Sequence, residues 1–141
     1  MAATPTELVE RFYRIVWNKA DEMEARKILD SGLRFRGSLG PESRGVEGFL
    51  DYLRAIHACL EGFTCDTEEL VAAEDRVAAR MIFHGHHRGT LFGIEPTGRE
   101  IRWAGAAFFR TAKGKITDLW VLGDIDGVRR QLEPRRRVQA F

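Results

Sequence analysis

The second half of the chain carries two side chains whose types suit proton transfer. In DLWVLGDID, strand alternation puts Asp118, Trp120, Leu122 and Asp124 on one face, a carboxylate beside an indole and a leucine. Desolvation in such a place raises a carboxylate's pKa toward neutrality, where it can take and return a proton. The competing use of these aspartates is to cap a following helical turn, with Asp126 the better cap and Asp124 the better base. The second side chain is His87 in FHGHHRG, which shares one side of a strand with Val77, Ala79, Met81 and Phe83 and therefore looks inward. It reads either as a hydrogen-bonded core histidine or as a site residue.

His84 and His86 share the opposite face and could meet one metal ion, but no third ligand of matching period accompanies them. They read as half-exposed polar residues, and no metal is expected. Trp17, Phe35, Trp103, Phe108, Phe109 and Trp120 mostly fill space between helix and sheet, leaving one or two to line a pocket. No glycine-rich phosphate loop, Ser-His-Asp order or Gly-x-Ser-x-Gly elbow is present, so nucleotide and acyl-enzyme chemistry lack support. Cys59 and Cys65 show no zinc or redox spacing and read as buried thiols.

The elements that must position these residues follow from periodicity. Leu8, Phe12, Ile15 and Val16 recur at helical spacing behind Thr4 as N-cap and Pro5. A second helix is expected over residues 21–29, stopped near Ser31–Gly32, then a brief strand around Leu33 and Phe35. Val46, Phe49, Leu50, Leu53, Ile56 and Leu60 give a third helix that ends near Gly62. Beyond it the rhythm changes to alternation: strands over 63–71, 76–89, 99–111 and 115–122, with turns at Glu74–Asp75 and Lys113–Gly114, and a helical turn over 127–132. Helices followed by antiparallel strands predict an α+β fold, with the helices covering one face of the sheet and a ligand concavity between the layers.

The composition agrees with one soluble domain. The 141 residues are 44% hydrophobic and 30% charged, and no apolar run approaches a membrane span. Twenty-two basic against 21 acidic residues leave a net charge of +1, so neither nucleic acid nor an anionic membrane is an expected partner. The basic run Arg135–Arg137 reads as a solvated tail. The N-terminus lacks the pattern of a secretory signal, which makes the cytoplasm the expected compartment.

Four segments carry a resemblance: ELVERFYRIVWN, SRGVEGFLDYLRAI, EDRVAARMIFHGHHRGTLFGIEPTGREI and FFRTAKGKITDLWVLGDIDGVRRQL. In this order they resemble the SnoaL-like polyketide cyclases over about residues 7–132, with 133–141 as a mobile tail of the single domain. The resemblance implies the nuclear transport factor 2-like fold, a cone of helices wrapped by a curved antiparallel sheet. It implies a cofactor-free enzyme closing a ring by aldol-type chemistry on a hydrophobic carbonyl compound in an enclosed pocket. Asp124 falls on the family's base and His87 on its polar partner, with Trp103, Trp120, Phe35 and Arg36 as substrate-binding residues. Where family members carry a His-Asp-Pro-like segment, this chain has LRFRGSLG, so Arg36 either meets the ligand or faces solvent. The same cone also serves isomerases, hydrolases, dehydratases and non-catalytic ligand-binding or assembly modules. Outward Phe108 and the open sheet imply a homodimer.

Overall fold

The computed structural model of the chain describes residues 3–133. Thr4 Oγ1 accepts from the Glu7 backbone N–H at 3.1 Å while the Glu7 carboxylate accepts from the Thr4 N–H at 3.3 Å, and Pro5 sits where no donor is needed. Helix α1 (Pro5–Arg11) runs directly into a π-helical segment (Phe12–Trp17), whose wider turn shows in the 3.0 Å bond from the Asn18 N–H to the Tyr13 carbonyl. The periodicity predicts regular helix here. The π winding instead turns two adjacent pairs, Phe12–Tyr13 and Val16–Trp17, into the core together.

Helix α2 (Glu22–Ile28), capped by the Asp21 carboxylate on the Glu24 N–H, passes straight into β1 (Leu29–Arg36). The expected stop at Ser31–Gly32 is absorbed as an irregularity inside that strand, where Asp30 accepts from the Gly32 N–H at 2.8 Å. A three-residue strand β2 (Glu42–Arg44), which the sequence did not announce, precedes α3 (Gly45–Cys59). Then follow β3 (Leu60–Ala73), β4 (Arg76–His87), β5 (Glu100–Ala112), β6 (Lys115–Gly123) and α4 (Ile125–Leu132). The β5–β6 turn has both Lys113 and Gly114 at positive φ, 52° and 74°, as a tight hairpin of the primed kind requires.

The six strands are ordered β2-β1-β6-β5-β4-β3. Every neighbouring pair is antiparallel except β1 and β6, which run parallel with Arg34 opposite Asp118 and Arg36 opposite Trp120. The expected all-antiparallel sheet is therefore corrected to a mixed one: the long excursion through α3, β3, β4 and β5 brings the chain back alongside β1 in the same direction. The architecture is α+β, as expected. Leu8, Phe12, Phe49, Leu50 and Leu53 of the helices pack on Met81, Ile101 and Ile116 of the inner sheet face, all at most 1% exposed. Gln131 fastens α4 to β5 through both the N–H and the carbonyl of Arg102. Among the described residues no helix is long and apolar enough to cross a membrane. Of the tail expected over 133–141, residues 134–141, Arg135–Arg137 included, lie outside the described residues.

Candidate functional site

Between the helices and the inner sheet face lies a cavity with a largely aromatic wall. The π-helical segment contributes Tyr13 and Trp17, α3 contributes Tyr52, and β1, β3, β4 and β5 contribute Phe35, Phe63, Phe83 and Trp103. The rings meet mainly edge to face: Tyr52 with Trp17 at 5.9 Å and 87°, and with Phe35 at 5.0 Å and 63°. Trp103 leans on Phe83 at 5.4 Å and on Phe63 at 5.9 Å. As the side chains stand, the interior offers about 20 Å³ to the centre of a water-sized sphere, room for one water; counted to the atom surfaces and including its opening, the space is about 350 Å³.

Residues 37–39 form the part of this wall that lies outside helix and strand. They cross the Tyr52 ring so closely that a Cβ on Gly37 would stand 2.4 Å from a ring carbon, which is why glycine is required there. The Tyr52 hydroxyl fixes the crossing by accepting from the Leu39 N–H at 3.0 Å.

The electrostatics of the cavity are those of neutral groups. Burial pushes the Tyr13 phenol well above its ordinary value, reinforced by Cys65 and Tyr52. Burial also raises Tyr52 to about 12, against the opposing donation from Leu39. The Cys65 thiol is raised by burial first and by Asp66 second. Among the described residues the wall holds no carboxylate, imidazole, ammonium or guanidinium.

The residues singled out from sequence divide between two faces. Phe35 and Trp103 line the cavity as expected, each 3% exposed. Trp120 and Arg36 do not: both project from the outer face, where the Arg36 guanidinium lies over the Trp120 ring at 5.1 Å and donates to the Val121 carbonyl at 2.8 Å. The reason is strand parity, since Leu119 and Val121 take the inner positions of β6 and leave Trp120 and Leu122 outside.

Asp124 follows the same parity. Gly123 is the last β6 residue, and the exposed Asp124 caps α4 by accepting from the Gly127 N–H at 2.9 Å. Of the two aspartates it is Asp124, not the expected Asp126, that caps the helix, while Asp126 pairs with Arg130 at 3.0 Å on the surface. His87 is inward and fully buried, as the alternation predicts, yet it is not part of the cavity wall. Its Nδ1 accepts from the Thr97 N–H at 3.1 Å and faces the Thr97 hydroxyl at 3.0 Å, so it anchors the connection between β4 and β5. Asp124 and His87 do not meet in one cavity. On the outer face His84 lies against Thr64 and Asp66, and among the described residues no three potential metal ligands gather.

With the geometry in place, likeness to known proteins becomes informative. A family model described as SnoaL-like polyketide cyclase matches residues 7–132. The chain belongs to this family. Its fold superimposes with a TM-score of 0.83 on a candidate SnoaL-like polyketide cyclase from Jannaschia sp. CCS1, at 18% identity over 91% of this chain and 90% of the other. TsrD from Streptomyces laurentii gives 0.80 at 27% identity over 90% and 92%. IdmH from Streptomyces antibioticus, a candidate polyketide cyclase, gives 0.81 at 23% identity over 92% and 99%. No curated protein matches the sequence.

In this SnoaL-like chain the cavity residues that sequence reasoning missed include Tyr13, Tyr52, Phe63, Phe83 and the 37–39 crossing. Tyr13 is legible only in the doublets at 12–13 and 16–17, which share one helical face. Tyr52 had no such signal, being one half-buried position beside the buried face of α3.

Proposed function

We propose that this SnoaL-like protein binds a compact, uncharged, apolar ring compound in the aromatic cavity. The observation that carries the reading is the wall itself: flat rings set edge to face around a small interior, with no charged group among the described lining residues and with phenols held neutral. Such a wall retains a flat apolar guest and offers no group to remove a carbon-bound proton. The two free thiols, Cys65 buried and Cys59 half-buried, suit a reducing cytoplasmic setting.

A second reading is acid–base cyclisation of the kind the family name describes. Its support is the family match together with the position of Asp124 directly after Gly123. A Cβ on Gly123 would stand 3.1 Å from Trp103 Nε1 and 2.7 Å from the Ser38 Cβ, at the cavity wall. Reaching the interior requires the Asp124 carboxylate to leave the Gly127 N–H.

The test has two stages. Small cyclic ketones are titrated while the fluorescence of the tryptophans is followed, with Val121→Phe as a variant that fills the cavity. Bound ketones are then followed by NMR in heavy water for exchange of the protons next to the carbonyl. Binding that Val121→Phe abolishes, without accelerated exchange, supports the first reading. Exchange that Asp124→Asn removes replaces it with the second, and binding indifferent to Val121→Phe overturns both.

A further inference from the structure

Four buried side-chain polar atoms have no hydrogen-bond partner among the described residues: Tyr13 Oη, Ser43 Oγ, His87 Nε2 and Trp103 Nε1. Two of these residues, Tyr13 and Trp103, line the same cavity, and each is 3% exposed. Buried polar groups in folded proteins are almost always satisfied, and leaving one unmade costs more than a typical bond contributes. An indole nitrogen can only donate, and a phenol kept neutral keeps its proton to give. Both atoms therefore await an acceptor, and no lining residue is bonded to either.

From this pair we infer that ligand recognition in the cavity runs through donation from Tyr13 Oη and Trp103 Nε1, and that the ligand is a neutral one- or two-ring ketone. This rests on the cavity being the ligand site. The carbonyl supplies the missing acceptor. The absence of any cationic lining residue among those described argues against a carboxylate or phosphate, because a buried anion without a counter-charge is costly. The interior as it stands has room for one water, so a ring enters only as wall side chains such as Phe83 and Trp103 give way, and one or two rings ask the least displacement of them.

The experiment compares 1-indanone with its hydrocarbon counterpart indane, using the wild-type protein and Tyr13→Phe, with near-ultraviolet circular dichroism confirming that the variant is folded. Tyr13→Phe should weaken 1-indanone binding about threefold to tenfold and leave indane unchanged, the effect of one removed hydrogen bond. In parallel, the indole N–H resonance of Trp103, assigned by its loss in Trp103→Phe, should move downfield with 1-indanone and not with indane. Equal effects of Tyr13→Phe on both ligands, or no shift of the Trp103 resonance, overturn the inference while indane binding leaves the cavity reading intact. Failure of both compounds to bind the wild-type protein removes the cavity reading and this inference with it.

Discussion

Asn18 and Cys65, 47 positions apart, are joined twice: the Asn18 side-chain amide donates to the Cys65 carbonyl at 3.0 Å and accepts from the Cys65 N–H at 2.7 Å. The amide imitates a strand and holds the end of the π-helical segment against β3. Tyr13 and Trp17 are thereby fixed across from Cys65 on the cavity wall. Asn18→Ala removes both bonds and strands two backbone groups, both on the buried Cys65. It should cost about 2–3 kcal/mol in urea unfolding. Asn18→Asp keeps the acceptor and loses the donor, so its loss should fall between. A variant as stable as the wild type would show that the π-helical segment is held by packing alone.

Asp124 provides a test of cap against base. The carboxylate satisfies a helix N-terminal donor, and asparagine serves that purpose nearly as well, whereas alanine cannot. Asp124→Ala should lose about 1 kcal/mol and Asp124→Asn much less. Any ligand affinity of the cavity should be the same in both variants. Equal loss of turnover in both, with stability lost only in the alanine variant, would assign Asp124 the proton-transfer role instead.

The chain has two tyrosines, and both line the cavity. Burial raises Tyr52 to about 12 and holds Tyr13 well above its ordinary value. Because the neutral phenol is the form favoured in the folded state, the stability linked to these groups is intact below about pH 10, where unfolded tyrosine ionises. It is lost as pH rises from there through the folded value, roughly 3 kcal/mol for Tyr52 across that window. Phenolate absorbance should therefore stay absent while the protein is folded and appear for both residues together with the loss of circular dichroism. A phenolate step near pH 10 in a still-folded protein would contradict the burial of one ring.

What was legible in the sequence is what local chemistry decides. Thr4 with Pro5 and Glu7 marks its helix start, Lys113–Gly114 its hairpin, and the alternation of β4 correctly turns His87 inward. Phe35 and Trp103 enter through the resemblance rather than through alternation, and both stand on inner strand positions. β6 was misread because LWVL is apolar on both faces: grouping Trp120, Leu122 and Asp124 was right, but the pattern held no clue that Leu119 and Val121 were the inner set. The parallel β1–β6 pairing and the π winding were hidden for a related reason. Both arise from long-range packing, to which neither strand alternation nor helical period responds.

The outer sheet face remains to be covered, and a second copy of the chain is the partner we propose for it. Trp120, Phe108, Ala78 and Val71 form one cross-strand row, with Leu122 and Ala106 as the apolar half of the next, which continues into the Arg80–Glu69 ion pair; Trp120, Phe108, Leu122 and Val71 are 42–61% exposed. On the other side runs a basic row, in which Asp118 is flanked by Arg34 and Arg110, with Arg44 and Arg76 beyond them. A twofold axis parallel to the strands would stack these arginines on their own copies. An axis across the strands sets them instead against the partner's row of Ala104, Ile82 and Asp66, and joins the Trp120–Phe108 row to the Leu122–Ala106 half of the next. Sedimentation should therefore show a dimer that Phe108→Glu converts to monomer and Asp66→Lys weakens. A monomeric wild-type protein would refute the pairing, and a dimer indifferent to Asp66→Lys would refute the direction of the axis.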